Sequence, residues 1–233
     1  MDKFLNSGCG SLHLIVGPMF AGKSSELMKV CRRLSYAKKK ILVINYMADN
    51  RYSDKHVIST HDKIHMEAVK AEKIQNIADQ IDEYDVIAID EGQFFDDIAE
   101  YSNKFADMGK IVIVAALDGT FERKNFGGIH ELMAGCESIT KLTAVCLYCN
   151  HNASFTRRTI KKSEVKLIGS HEMYEPVCRG CYIQLELNDK LNNEETLSEK
   201  SVKSDANSDS SIQKNTPMKS DSDNMDIQSE LVQ

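Results

Sequence analysis

The chain has 233 residues, of which 42% are hydrophobic, and a formal net charge of −6; this suits a globular protein with one sizeable domain, a small appendage and a tail. No apolar run reaches about 18 residues and no basic-apolar leader is present, so neither membrane insertion nor secretion is expected, and the cytoplasm is the expected compartment. Seven cysteines then point to thiols or metal sites rather than a disulfide framework, and the near-neutral charge of residues 1–187 argues against a nucleic-acid partner.

After a short arm, 1–10, the run Ser11 to Val16 reads as a buried strand followed at once by a glycine-bearing loop. Leu27, Val30, Cys31, Leu34 and Ala37 then recur at helical spacing, which predicts a helix over 23–38 with Lys38, Lys39 and Lys40 in solvent at its end. Ile41 to Ile44, Val86 to Ile89 and Ile111 to Ala115 read as further strands. Helical patterns fall around 71–80 and 95–107, and 53–70 is less clear, with short strands and a loop both open. Continuous apolar strands alternating with helices define an α/β fold with a mostly parallel sheet covered on both faces, here over 11–141. From 142 to 187 two cysteine pairs frame a polar segment. Residues 188–233 hold no aromatic residue and carry most of the net charge, so they are expected to be disordered.

Gly17-Pro18-Met19-Phe20-Ala21-Gly22-Lys23-Ser24 fits G-x-x-x-x-G-K-[ST], the P-loop, between a strand and a helix as that motif requires. Its backbone N–H groups can cradle phosphates, Lys23 supplies a charge to the β- and γ-phosphates, and the Ser24 hydroxyl can ligate Mg²⁺. Asp90, ending the apolar run "VIAI", is the candidate carboxylate for that magnesium, and its alternative role is a helix N-cap. Adjacent Glu91 could activate a water, as in an ATPase, or the hydroxyl of a second substrate, as in a kinase.

Cys146-x-x-Cys149 and Cys178-x-x-Cys181 are two C-x₂-C pairs with 28 residues between the inner cysteines. Four thiolates in two short pairs suit a tetrahedral structural Zn²⁺. The gap is longer than the usual ~15–20 residues, so a long excursion leaves the site and returns. That excursion could close over a small planar ligand or be a plain surface loop.

"GPMFAGKS", "DNRY", "DEGQFF", "ALDGTFERKNFG", "KLTAVCLYC" and "MYEPVCRGC" occur in this order over about 10–185. Together they resemble the type II, zinc-containing cytosolic thymidine kinases. The resemblance implies transfer of the γ-phosphate of ATP to the 5′-hydroxyl of thymidine, and of deoxyuridine, giving dTMP in pyrimidine deoxynucleotide salvage. It also implies a homotetramer inhibited by dTTP. By position, Glu91 matches the general base, Asp90 the acid associated with magnesium, and Arg51 a basic residue near the transferred phosphate. Asp49 and Gln93 fall among the ATP-binding positions. Met19, Phe94, Leu117, Phe121, Phe126, Thr156 and Tyr174 match positions lining the thymidine site, and Val165, Leu167 and Gly169 fall in the family's substrate-covering lasso. Departures from the family pattern at Ala21, Asp96 and Asn125 touch loop stiffness rather than chemistry. A rival reading is a nucleic-acid-dependent ATPase with a zinc ribbon, because "DEGQ" also resembles the D-E-x-Q of helicases; a motor of that kind needs two such domains. A third is a non-enzymatic nucleotide switch.

Overall fold

The computed structural model describes residues 9–47, 57–59, 65–160 and 172–191. The chain divides into two units, Met1–Glu186 and Leu187–Gln233. Of the second, 187–191 are described and are helical. The remainder of the segment read as a tail lies outside the described residues.

Six parallel strands form the central sheet, in the order β5-β2-β6-β7-β1-β8. They are β1 (Ser11–Gly17), β2 (Ile41–Tyr46), β5 (Val69–Ala71), β6 (Val86–Ile89), β7 (Ile111–Leu117) and β8 (Ser138–Lys141). Between β2 and β5, β3 (Val57–Ser59) and β4 (His65–Glu67) form a separate antiparallel pair. The apolar runs are continuous because both faces are covered, and successive side chains alternate between two cores. Leu12, Leu14, Val16, Ile87, Ile89, Val112 and Val114 enter one core with Phe95, Ile98, Phe105, Ile129 and Leu132. Ile15, Val43, Val86, Ala88, Ile113 and Ala115 enter the other, against Leu27, Met28, Val30, Cys31 and Leu34 of α1 (Lys23–Tyr36). Burying a Leu, Ile or Phe side chain contributes about 1.5–3 kcal/mol, so these two layers dominate stability. The first core is closed by α2 (Ile98–Asp107), α3 (Ile129–Gly135) and a run of 3₁₀ turns over Ile74–Glu83.

Two helix expectations shift. The pattern around 71–80 becomes the 3₁₀ run, because Val69–Ala71 pairs with β2 as an edge strand. The Asp97 carboxylate accepts hydrogen bonds from the N–H groups of Ile74 and Gln75 at 3.2 and 2.9 Å, so it caps that run. The helix expected from 95 begins at Ile98, after a single 3₁₀ turn at Gly92–Phe94. Sequence pattern missed β8: its burial alternates between half-buried and exposed, as an edge strand's does, and only Ile139 and its short neighbours mark it.

The segment beyond β8 contains two antiparallel hairpins. β9 (Ala144–Val145) pairs with β10 (Asn152–Ala153), and β11 (Phe155–Arg158) pairs with β12 (Tyr174–Val177). Ala144, Cys146, Ala153, Val177 and Tyr182 make a small core, against which Phe20 and Ala21 of the P-loop pack. The α/β layer and this appendage therefore meet at the phosphate loop.

Candidate active site

The site lies at the C-terminal ends of the parallel strands, where parallel-sheet proteins bind ligands. Gly17, the last residue of β1, is the register partner of Leu117, the last of β7. From Gly17 the chain turns through a loop in which Phe20 (φ 64) and Gly22 (φ 80) hold left-handed conformations. Gly22 is also the N-cap of α1, and there a side chain would be strained even though space is open. Lys23 donates to the carbonyl of Pro18 at 2.8 Å, so its ammonium is folded back over the loop it is to serve.

Asp90 follows β6 and is buried. Its backbone N–H is held by the Ile44 carbonyl at 2.9 Å, and its Oδ1 accepts from the N–H of Glu91 at 3.1 Å. Burial and the neighbouring Glu91 push its carboxyl up to about 7, while a hydrogen bond with Ser24 and the charge of Lys23 pull the other way. A carboxylate withdrawn from water beside the Ser24 hydroxyl, with its ionised form disfavoured, fits a position that takes up a divalent cation. Ser24 and Asp90 thus belong to one constellation, although about two-thirds of a hundred residues separate them in the chain. Glu91 itself has left-handed backbone angles, φ 54 and ψ 39.

Of the residues matched to the thymidine site, Met19, Phe94, Leu117, Phe126 and Tyr174 form one buried apolar cluster, with Phe121 packed against it. They come from the phosphate loop, the turn after β6, the end of β7, the loop before α3 and β12. Phe94 meets Phe126 edge-on at 5.8 Å between ring centres. Thr156 joins them through its hydroxyl, which accepts a hydrogen bond from the N–H of Met19 at 2.9 Å. Asp49, Arg51, Val165, Leu167 and Gly169 lie outside the described residues.

Three neighbours of this cluster are absent from the sequence-based set. Tyr46, ending β2, stacks on Phe94 at 5.3 Å; Met173 packs beside Tyr174. Arg158 is buried, lies 3.9 Å over the Phe121 ring and donates to the Tyr174 hydroxyl at 2.7 Å. Arg157 and Arg158 are adjacent in the sequence, and strand alternation in β11 supplies the one clue that they face opposite ways. Arg157 instead pairs with Glu175 at 2.6 Å, and Glu175 accepts from the Tyr148 hydroxyl at 2.9 Å.

Cys146, Cys149, Cys178 and Cys181 bring their four Sγ atoms within 4.8 Å of one another. Backbone N–H groups of Cys178, Tyr148 and Cys149 outweigh burial and draw the Cys146 thiol down to about 6, whereas hydrogen bonds with Cys178 and Cys149 push Cys181 up to about 12. Such crowded thiols cannot all ionise without a cation among them, and an all-thiolate tetrahedron is the donor set zinc prefers. Cys31, by contrast, is a core residue whose thiol burial pushes up to about 12.

A parallel sheet with a P-loop after β1, a buried carboxylate after β6 and a cysteine-pinned flap on the loop defines a nucleoside-triphosphate-using P-loop protein. The family model for thymidine kinase matches residues 10–182. The chain is 49% identical over 174 residues to the thymidine kinase of vaccinia virus (strain Western Reserve), covering 75% of this chain and 97% of that protein. It is 46% identical over 176 residues to thymidine kinase 1 of Dictyostelium discoideum, covering 74% and 78%. The sheeppox virus (strain KS-1) thymidine kinase is 46% identical over 173 residues, covering 74% and 97%. The chain belongs to the thymidine kinase family.

Proposed function

We propose that this protein transfers the γ-phosphate of ATP to the 5′-hydroxyl of thymidine, and of deoxyuridine, producing dTMP for pyrimidine deoxynucleotide salvage. The observation that carries this reading is the convergence of a buried aromatic and apolar cluster with the phosphate loop at Met19, which belongs to both. A pyrimidine ring can stack on Phe94, its methyl group suits the space beside Met19 and Leu117, and backbone groups can read its edge without a charged side chain.

The loop N–H groups, with Lys23, hold the phosphates and stabilise charge on the transferred group. Glu91 accepts the 5′-hydroxyl proton as the phosphoryl group moves in line, and Arg51 assists at the phosphate. Ser24 and Asp90 would hold the Mg²⁺ that accompanies ATP, which neutralises phosphate charge when bound. The four cysteines would hold a structural Zn²⁺ that ties the hairpins, and with them Thr156 and Tyr174, to the pocket. General-base assistance is worth about 10²–10⁴ in rate, so Glu91→Gln should lose that much turnover while retaining ATP.

By the same reading dTTP inhibits, the protein works as a homotetramer in the cytoplasm, and nucleic acid is not a partner. Among the described residues no helix is long and apolar enough to cross a membrane. Purified protein is assayed for ADP formation with thymidine, with single-stranded DNA and with neither. Thymidine-dependent formation is expected; DNA-dependent formation would replace this reading with an ATPase, and no turnover with a switch. Light scattering during gel filtration, and dTTP added to the thymidine reaction, test the assembly and the feedback.

A further inference from the structure

Gln93 is fully buried, an uncommon place for a side chain whose amide offers both donors and acceptors. Its Oε1 accepts the backbone N–H of Leu117 at 2.9 Å, across 24 residues, and its Nε2 donates to Oε2 of Glu91. A backbone N–H can only donate, so the amide oxygen must face Leu117 and the NH₂ must face Glu91. The orientation of the amide is therefore set by the end of β7.

The surrounding backbone holds the turn from the other side. Gly127 has φ 56, and a Cβ there would stand 2.6 Å from the Gln93 carbonyl oxygen. The loop before α3 thus lies directly on the Gln93 backbone. Glu91 carries left-handed angles without being a glycine or asparagine, a conformation that persists only where neighbours enforce it.

Building on the kinase reading, we propose that Gln93 is a positioning residue. It holds the Glu91 carboxylate in the direction of the acceptor hydroxyl and ties that direction to Leu117, the wall of the nucleoside pocket. The resemblance places Gln93 among the ATP-binding positions; in this proposal it acts through Glu91 instead, since it is out of solvent and both ends of its amide are engaged within the protein. A general base works only within hydrogen-bond reach of its proton, and a glutamate side chain left to its own rotamers spends most of its time elsewhere. The base is then aimed from the same strand end that shapes the pocket.

Steady-state rates with ATP and thymidine test this on the full chain. Gln93→Met keeps the volume of the side chain and removes the donor to Glu91 together with the acceptor of the Leu117 N–H. It should lower kcat about 10–100-fold, the cost of a small misplacement of a reacting group, and leave both KM values within about threefold. A rise confined to the KM for ATP, or to that for thymidine, with kcat unchanged, would overturn the proposal in favour of direct ligand contact. A double-mutant cycle provides the second readout. If Gln93 works only through the base, Gln93→Met added to Glu91→Gln costs no more than about a further twofold. Multiplication by the full single-mutant factor would overturn the proposal, because a general structural loss acts in either background. Thermal melts accompany each variant, and if Gln93→Met does not fold, Gln93→Leu is read by the same kcat and KM criteria. Wild-type protein without thymidine-dependent turnover would refute the kinase reading itself, and that result is visible before any variant is made.

Discussion

Thr156 joins the flap to the phosphate loop through one hydrogen bond, and Thr156→Val removes it with little change in shape. The hydroxyl is buried and accepts from the Met19 N–H at 2.9 Å, 137 residues away in the chain. Valine keeps the branched volume and the strand preference of β11, so the change isolates the oxygen. Leaving a buried backbone N–H without its acceptor costs about 1–3 kcal/mol. For a folded part of this size each kcal/mol moves the melting temperature by about 2–4 °C, so a central loss of about 2 kcal/mol predicts a fall of about 4–8 °C. Because Met19 lies in both the phosphate loop and the apolar pocket, the KM values for ATP and thymidine should rise together. Differential scanning calorimetry on zinc-loaded protein gives the melting shift, and initial rates give the KM values. Thr156→Ser, which retains the oxygen, should stay close to wild type. A valine variant melting within about 1 °C of wild type, or a serine variant as damaged as valine, would refute the reasoning.

Asp90→Asn should raise the melting temperature of nucleotide-free protein at pH 8, with the gain shrinking toward pH 5. The folded-state pKa is raised from 3.8 to about 7 by burial and by Glu91, so the folded protein holds an extra proton between these values, and wild-type stability falls as pH rises through that window. The same variant should lose the stabilisation that Mg²⁺ and ATP give the wild type, and a constant difference across pH would count against the assignment. Arg158→Lys should raise the KM for thymidine about 5–20-fold with a smaller effect on kcat, since a lysine cannot both lie flat on Phe121 and donate to Tyr174; isothermal titration with thymidine checks it. Elemental analysis should find one zinc per chain at the cysteine cluster. Its removal by chelator, or Cys178→Ser, should lower the melting temperature by about 10 °C or more and abolish thymidine binding; retained binding in metal-free protein would remove zinc from the role.

The order of residues alone specified four of the six strands of the parallel sheet, the phosphate loop and the cysteine cluster. Each is written locally: apolar runs of strand length, glycines and a lysine at fixed offsets, and thiols two residues apart. The motif context around residues 17–24 and 90–91 likewise marked the loop and the buried carboxylate that the fold brings together. The same reading placed one helix too early, at 95, because an apolar Phe94–Phe95 pair looks like a helix start. Only packing shows Phe95 in the sheet core and Phe94 in the pocket.

The apolar cluster around Phe94 was legible only through resemblance, since a lone Met19, Leu117 or Phe126 carries no sign of what it packs against. Arg158 and Tyr46 were missed for the same reason. Their partners lie on other strands, and the spacing along the chain contains no record of that. Gln93 shows the division most clearly. Its neighbour relation to Glu91 is local, but the hydrogen bond that fixes which way its amide points comes from the end of β7, 24 residues on. The tertiary structure decided the aim of the carboxylate, because direction is set by contacts between strand ends that only folding brings together.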